Sequence, residues 1–155
     1  MKIKLSSLIV TICFLGATVA FADDPWMGTW KLNESKSKLA RGMGKNHTVV
    51  YQDGGFRKIK VVVDGVDKSG KATHNEWTGK FDGKDYAVTG DANSDMRSYR
   101  KVNDHTLEMA QKKEGKVTGM GQIVIAADGK SRTVNMSGTD AKGKKFTSMA
   151  FYDKQ

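Results

Sequence analysis

Cysteine is almost missing from this 155-residue chain, and the single one, Cys13, falls in a leader. Lys2 and Lys4 make a basic start, residues 8–19 are mostly apolar, and Ala20-Phe21-Ala22 is a small-x-small cleavage site. Those are the three parts of a secretory signal peptide. The apolar run is too short for a membrane span, which needs roughly 20 such residues, so no membrane span is expected. Residues 1–22 are therefore read as a signal peptide and 23–155 as one domain, exported to the periplasm or the extracellular space. Removing the leader removes Cys13, which excludes a disulfide, a thiolate nucleophile and a cysteine-ligated metal.

Proline is as scarce. Pro25 is the only one, and it precedes the first segment with strand character, so no ladder is interrupted. Large aliphatic side chains are also few: Leu, Ile, Val and Phe make up 21 of the 133 residues after the leader, below the ~20% at which disorder becomes a concern. Three Trp, four Tyr and seven Met in the same stretch restore apolar volume. Acids are outnumbered. The formal charge of +9 falls to +7 when Lys2 and Lys4 leave with the leader.

Glycine-centred turns organise what remains. They are Asp53-Gly54-Gly55, Ser69-Gly70-Lys71, Asp82-Gly83-Lys84, Glu114-Gly115-Lys116, Asp128-Gly129-Lys130 and Lys142-Gly143-Lys144, with Asn103-Asp104 in the one long gap. Gly115, Gly129 and Gly143 are fourteen apart, room for one strand between turns. Between them apolar residues alternate, as half-buried strands require. Ten strands are expected, at 26–33, 46–53, 56–64, 72–81, 85–90, 96–103, 105–112, 117–127, 131–138 and 145–153. Short connections make neighbours antiparallel, and a meander avoids exposed edges by closing on itself. Gly119 and Gly121 within one strand mark a sharp bend. Only residues 34–45 lack the pattern, and 35–40 are expected to form a short helix. The fold class is all-β: an up-and-down antiparallel β-barrel of 8–10 strands, expected to be a monomer.

Gly28-Thr29-Trp30 on the first strand resembles the Gly-x-Trp signature of the calycins, the group of lipocalins, avidins and fatty-acid-binding proteins. The resemblance implies that Gly28 allows close approach of the chain, that Trp30 plugs one barrel end, and that Lys154 or Arg132 lies over the indole. Gly28-Thr29-Trp30-Lys31-Leu32-Asn33 followed by Ser35-Lys36-Ser37-Lys38, residues 82–90, and the ending Tyr152-Asp153-Lys154-Gln155 resemble a family of small exported bacterial lipocalin-like proteins of unknown function. That resemblance implies fold and export, and no activity. The chain departs from better-known calycins in lacking a C-terminal helix and a disulfide. Residues 34–45 are too few for the two-helix lid of fatty-acid-binding proteins. Ala150-Phe151-Tyr152 has alanine where their Arg-x-Tyr carboxylate anchor has arginine.

Candidate ligand-binding residues follow from strand alternation. In Arg97-Ser98-Tyr99-Arg100, one face carries Arg97 with Tyr99 and the other Arg100 with Met96 and Val102. Whichever face points inward takes an arginine with it. Such an arginine needs a partner: a ligand carboxylate or phosphate, an internal acid such as Glu108 or Asp95, or a place at the barrel rim. Met109, Met120, Met136 and Met149 occupy the late strands, and their adaptable thioethers suit either an apolar pocket or gap-filling in a leucine-poor core. Trp77, Tyr51, Tyr86 and Phe81 carry the same two readings. His47, His74 and His105 stand on different segments without ligand spacing, so no metal site is expected. No nucleophile elbow is present and no base is assignable to any serine. No catalytic residue and no cofactor is implied, and the protein is expected not to be an enzyme. Lysines crowd the turns, which suits solubility, an anionic ligand or an anionic envelope surface. Export excludes nucleic acid as the partner. The expectation is an exported calycin-like protein that binds a small apolar or amphipathic anionic ligand. The alternative is a lysine-rich envelope module with no interior ligand.

Overall fold

The protein is described by a computed structural model covering residues 24–140 and 142–155; the expected signal peptide and its cleavage site lie outside the described residues. Ten strands follow in order: β1 (Gly28–Leu32), β2 (Lys45–Asp53), β3 (Ile59–Val66), β4 (Ala72–Gly79), β5 (Tyr86–Thr89), β6 (Met96–Asn103), β7 (Thr106–Lys113), β8 (Lys116–Ile125), β9 (Ser131–Thr139) and β10 (Lys145–Lys154). Each falls on one of the ten expected segments. Neighbours in sequence pair antiparallel throughout, and β1 pairs with both β2 and β10, so the sheet closes into an up-and-down barrel.

Side chains alternate between the interior and the outer wall, as the period of two dictates. Trp30, Val49, Tyr51, Val61, Trp77, Leu107 and Ile123 are all buried inside. Aromatic rings fill the half of the barrel nearest the chain termini. Trp77 meets Tyr99 edge-on at 4.8 Å and stacks with Phe81 at 6.4 Å, and Phe81 meets Trp26 at 6.1 Å. This half is closed.

The turns are built alike. In five of the six expected glycine turns, all but Glu114-Gly115-Lys116, and in the β5–β6 loop, an aspartate Oδ1 accepts a hydrogen bond from the backbone N–H two residues on. Asp53, Asp67, Asp82, Asp91, Asp128 and Asp140 do this at 2.8–3.1 Å. Asn103 does the same for His105. These Asx turns let the chain reverse without relying on the ladder alone.

Residues 35–40 do not form the expected helix. A single 3₁₀ turn spans Glu34–Lys36, and Lys38 then pairs with Met149 by two backbone hydrogen bonds of 2.8 and 2.9 Å. The cause is competition from short polar side chains. Asn33 Oδ1 accepts from Ser35 and from the Lys36 N–H, while the Ser37 hydroxyl donates to the Asn33 carbonyl and accepts from the Phe151 N–H. The segment therefore lies along β10 as an extension of the wall and brings Leu39, Ala40 and Met43 over the interior.

The wall is tight where β8 meets β9. A Cβ on Gly121 would stand 2.1 Å from the Asn135 carbonyl oxygen and 2.4 Å from the Met136 sulfur, so the glycine is required by space. Gly121→Ala is expected to cost about 1–3 kcal/mol through forced displacement of packed backbone. Met120→Ala, next door on the outer wall, should stay within ~0.5 kcal/mol. Urea unfolding midpoints of the two variants check this, and equal midpoints would contradict it.

Candidate functional site

The first strand closes the barrel end nearest the termini. Gly28, at φ +110°, lets the chain turn into β1, and a Cβ there would sit 3.2 Å from Lys154 Cε. Trp30 is fully buried and donates its indole N–H to the Trp26 carbonyl at 3.1 Å. Two cations lie over its ring, the Arg132 guanidinium at 4.8 Å and the Lys154 ammonium at 5.1 Å. Lys154 also donates to the Pro25 carbonyl at 3.1 Å. Both basic residues expected over the indole are there.

Above this plug the barrel encloses a cavity of about 180 Å³. Its apolar wall includes Leu39, Met43, Val63, Met109, Ile123 and Ala150, and its polar wall includes Tyr51, Tyr99, Gln111 and Ser148. Three cationic residues, Lys45, Arg97 and Arg132, border it, and no Asp or Glu does. Burial pushes the Tyr152 phenol up to about 12, with Arg132 pulling the other way, and raises Tyr99 as well. Both stay protonated at any physiological pH, and Tyr152 donates to the Asn46 carbonyl at 3.0 Å.

The three cations differ in their partners. Lys45 reaches out to Glu34 at 2.5 Å. Arg97 is only 4% exposed; its Nη2 donates to Asp91 Oδ2 at 2.9 Å and to Asn75 Oδ1 at 3.3 Å. Asp91 is fixed in turn by the Ser94 hydroxyl at 2.7 Å. Arg132, 2% exposed, is caged by Trp30, Tyr51 and Tyr152, whose ring centres lie 4.8–4.9 Å from its guanidinium carbon. Its Nε and Nη1 are buried and meet no hydrogen-bond acceptor among the described residues.

No protein-family model matches the chain, and no curated protein sequence does. Among solved structures, EF1p2_mFAP2b bound to DFHBI is similar at 11% identity, with 84% of this chain and 94% of that chain covered and a TM-score of 0.49. A redesigned beta barrel, mFAP1, also bound to DFHBI, is similar at 13% identity, with 84% and 95% covered and a TM-score of 0.46.

Strand parity divides the candidate residues. Arg97, Tyr99, Tyr51, Met109 and Met136 all border the cavity. Trp77 is buried deeper, in the aromatic cluster, and its indole N–H donates to the Arg97 carbonyl at 2.9 Å. Two candidates do not reach the interior. Arg100 and Met120 lie on the outer wall, because Tyr99 and Gly121, the neighbours of opposite parity, face inward. Arg100 pairs there with Glu108, and Met120 is 57% exposed. Both border a broad outer concavity of about 670 Å³ whose charged pair is open to solvent. Glu108 and Asp95 were the acids expected to pair an inward arginine, and Asp91 takes that role for Arg97. The calycin resemblance offered Lys154 or Arg132 over the indole with no binding role for either, and the alternation of Arg132 with Val134 and Met136 was the signal that it faces the cavity. Among the described residues no group of three or more His, Cys, Asp and Glu side chains is arranged to hold a metal.

The two arginine–carboxylate pairs should respond differently to loss of the acid. Asp91→Asn leaves a buried guanidinium uncompensated and is expected to cost about 3–5 kcal/mol. Glu108→Gln removes a solvent-exposed partner and should cost no more than ~1 kcal/mol. Denaturant unfolding of both variants checks the contrast, and similar losses would show that the Arg97 pair is not the buried anchor described.

Proposed function

We propose that this chain is an exported, non-enzymatic binding protein that holds one small apolar or amphipathic anionic ligand inside its barrel. The observation that carries the reading is the cavity between the aromatic plug and the 33–44 segment, bordered by Lys45, Arg97 and Arg132, of which Arg132 alone has no carboxylate partner among the described residues. A cavity of that character favours negative charge through the summed field of its walls. Its apolar residues supply the remaining contact. At about 180 Å³ it is smaller than the roughly 300–1,000 Å³ of sites that take drug-sized molecules, so the ligand is small.

The turns at the mouth strengthen the reading. Lys68 and Lys71, Lys116, and Lys142 and Lys144 stand on the β3–β4, β7–β8 and β9–β10 turns, which antiparallel order places at the same end as the 33–44 segment. Their field would steer an anion toward the opening and would weaken as salt rises. The same lysines support a second reading, in which the mouth docks on an anionic envelope polymer and the barrel is a rigid scaffold.

Native mass spectrometry of the chain purified from its own host separates the two. A single small adduct is expected on the native chain and should be lost in Ala150→Leu, which fills the cavity from β10 with little change outside it. A bare mass for both proteins, together with salt-sensitive binding to an anionic polymer, would replace the carrier reading with the second one.

A further inference from the structure

We propose that Arg132 is the anchor for the ligand's charged group and that the ligand is a compact monocarboxylate, one ring or a short branched body bearing a single carboxylate. The inference rests on the carrier reading and deepens it.

The charge count inside the barrel sets the ligand's charge. Lys45 is matched by Glu34 and Arg97 by Asp91. Arg132 enters no ion pair with a described residue, and the rings of Trp30, Tyr51 and Tyr152 hold its guanidinium without accepting conventional hydrogen bonds. One positive charge is thus left over on a side chain that is buried from the outer surface. A monoanion neutralises it, whereas a phosphate monoester would bring about −1.5 to −2 charges. A planar guanidinium fork also matches a planar carboxylate better than any point-charge donor would. The aromatic cage fixes the orientation of the fork in advance, so little side-chain freedom is lost when the anion arrives.

Volume sets the size. An engineered apolar cavity of about 150 Å³ in another protein takes one benzene, so about 180 Å³ accommodates a single six-membered ring with its carboxylate. A long acyl chain would have to leave through the mouth, where Leu39 and Met43 border the cavity and the Lys38–Met149 backbone pair ties the segment to β10.

Titration calorimetry of the native chain with benzoate, benzamide, toluene and hexadecanoate tests the assignment, with the Arg132 Nε–H resonance followed by ¹⁵N NMR. Benzoate is expected to bind about tenfold or more tightly than benzamide and to shift the Arg132 signal. Arg132→Met should lose that preference, and Arg132→Lys, which keeps the charge without the fork, should retain only part of it. Equal binding of benzoate and benzamide, or an unmoved Arg132 signal, would overturn the anchor while leaving the cavity reading intact. Tighter binding of hexadecanoate would overturn the size assignment. Failure of all four, toluene included, to enter would count against the carrier reading itself.

Discussion

Closure of the sheet by β1, a strand of only five residues, is the constraint on which the rest of the molecule depends. Without it β2 and β10 would be bare edges, and the interior would open to water. Three register pairs to β10 and four to β2 do not explain its hold alone, and the chain ends reinforce it. The Trp30 indole ties back to Trp26, Lys154 to Pro25, and the Gln155 N–H to the Thr29 carbonyl at 2.9 Å. Beyond Leu32 the wall continues through Lys38 and Met149, so the 33–44 segment finishes the seam that β1 begins. A helix there would have left β10 unpaired at the mouth.

Closing ten strands with few leucines determines what the interior contains. Aromatic rings occupy the closed half, and cations occupy positions where a richer sequence would place aliphatics. The turn chemistry compounds this. Six aspartates are committed to capping their own turns, at the tips of hairpins or in the β5–β6 loop. Of these only Asp91 also reaches a buried arginine. The acids that make hairpin reversal easy are therefore largely the ones absent from the interior, and the excess of basic residues in the composition becomes a local excess inside the barrel.

Much of this was legible in the sequence because the signals were periodic. Glycine turns at regular spacing and alternating apolar residues located all ten strands, while the plug, with Lys154 or Arg132 over it, came from the resemblance of Gly28-Thr29-Trp30 to the calycin signature. What failed to show was whatever depended on non-local partners. Alternation put Arg97 and Arg100 on opposite faces but gave no sign of which face was inside; that follows from the positions of Tyr99, Met109 and Ile123 across three strands. Met120 was misplaced for the same reason. Asp91 sits in a loop six residues from Arg97, and its pairing depends on how Ser94 and the Asn93 N–H fold that loop back. The 35–40 segment was expected to be a helix because it lacks the strand pattern, whereas Ser35 and Ser37 bind side-chain and backbone oxygens of Asn33 that hold it in a single turn.

Arg132 bears on whether this interior is a core or a site. Three ring contacts on a desolvated guanidinium contribute about 0.5–2 kcal/mol each. Against that stands a desolvation penalty of several kcal/mol for the ion, with no carboxylate beside it to offset the cost. Methionine or leucine at this position would occupy the same layer among the same rings without that penalty, and the flanking Val134 and Met136 show that β9 accepts such residues. The ring contacts and the penalty are of the same order, so the cage over the plug holds the cation at little net gain over an apolar side chain. A cation in a cage that fixes its plane, with N–H groups that no described residue accepts, suits a site that must hold its charge ready for a partner of opposite sign. The energetic cost in the free protein becomes the source of selectivity on binding, since only an anion small enough for the cavity relieves it.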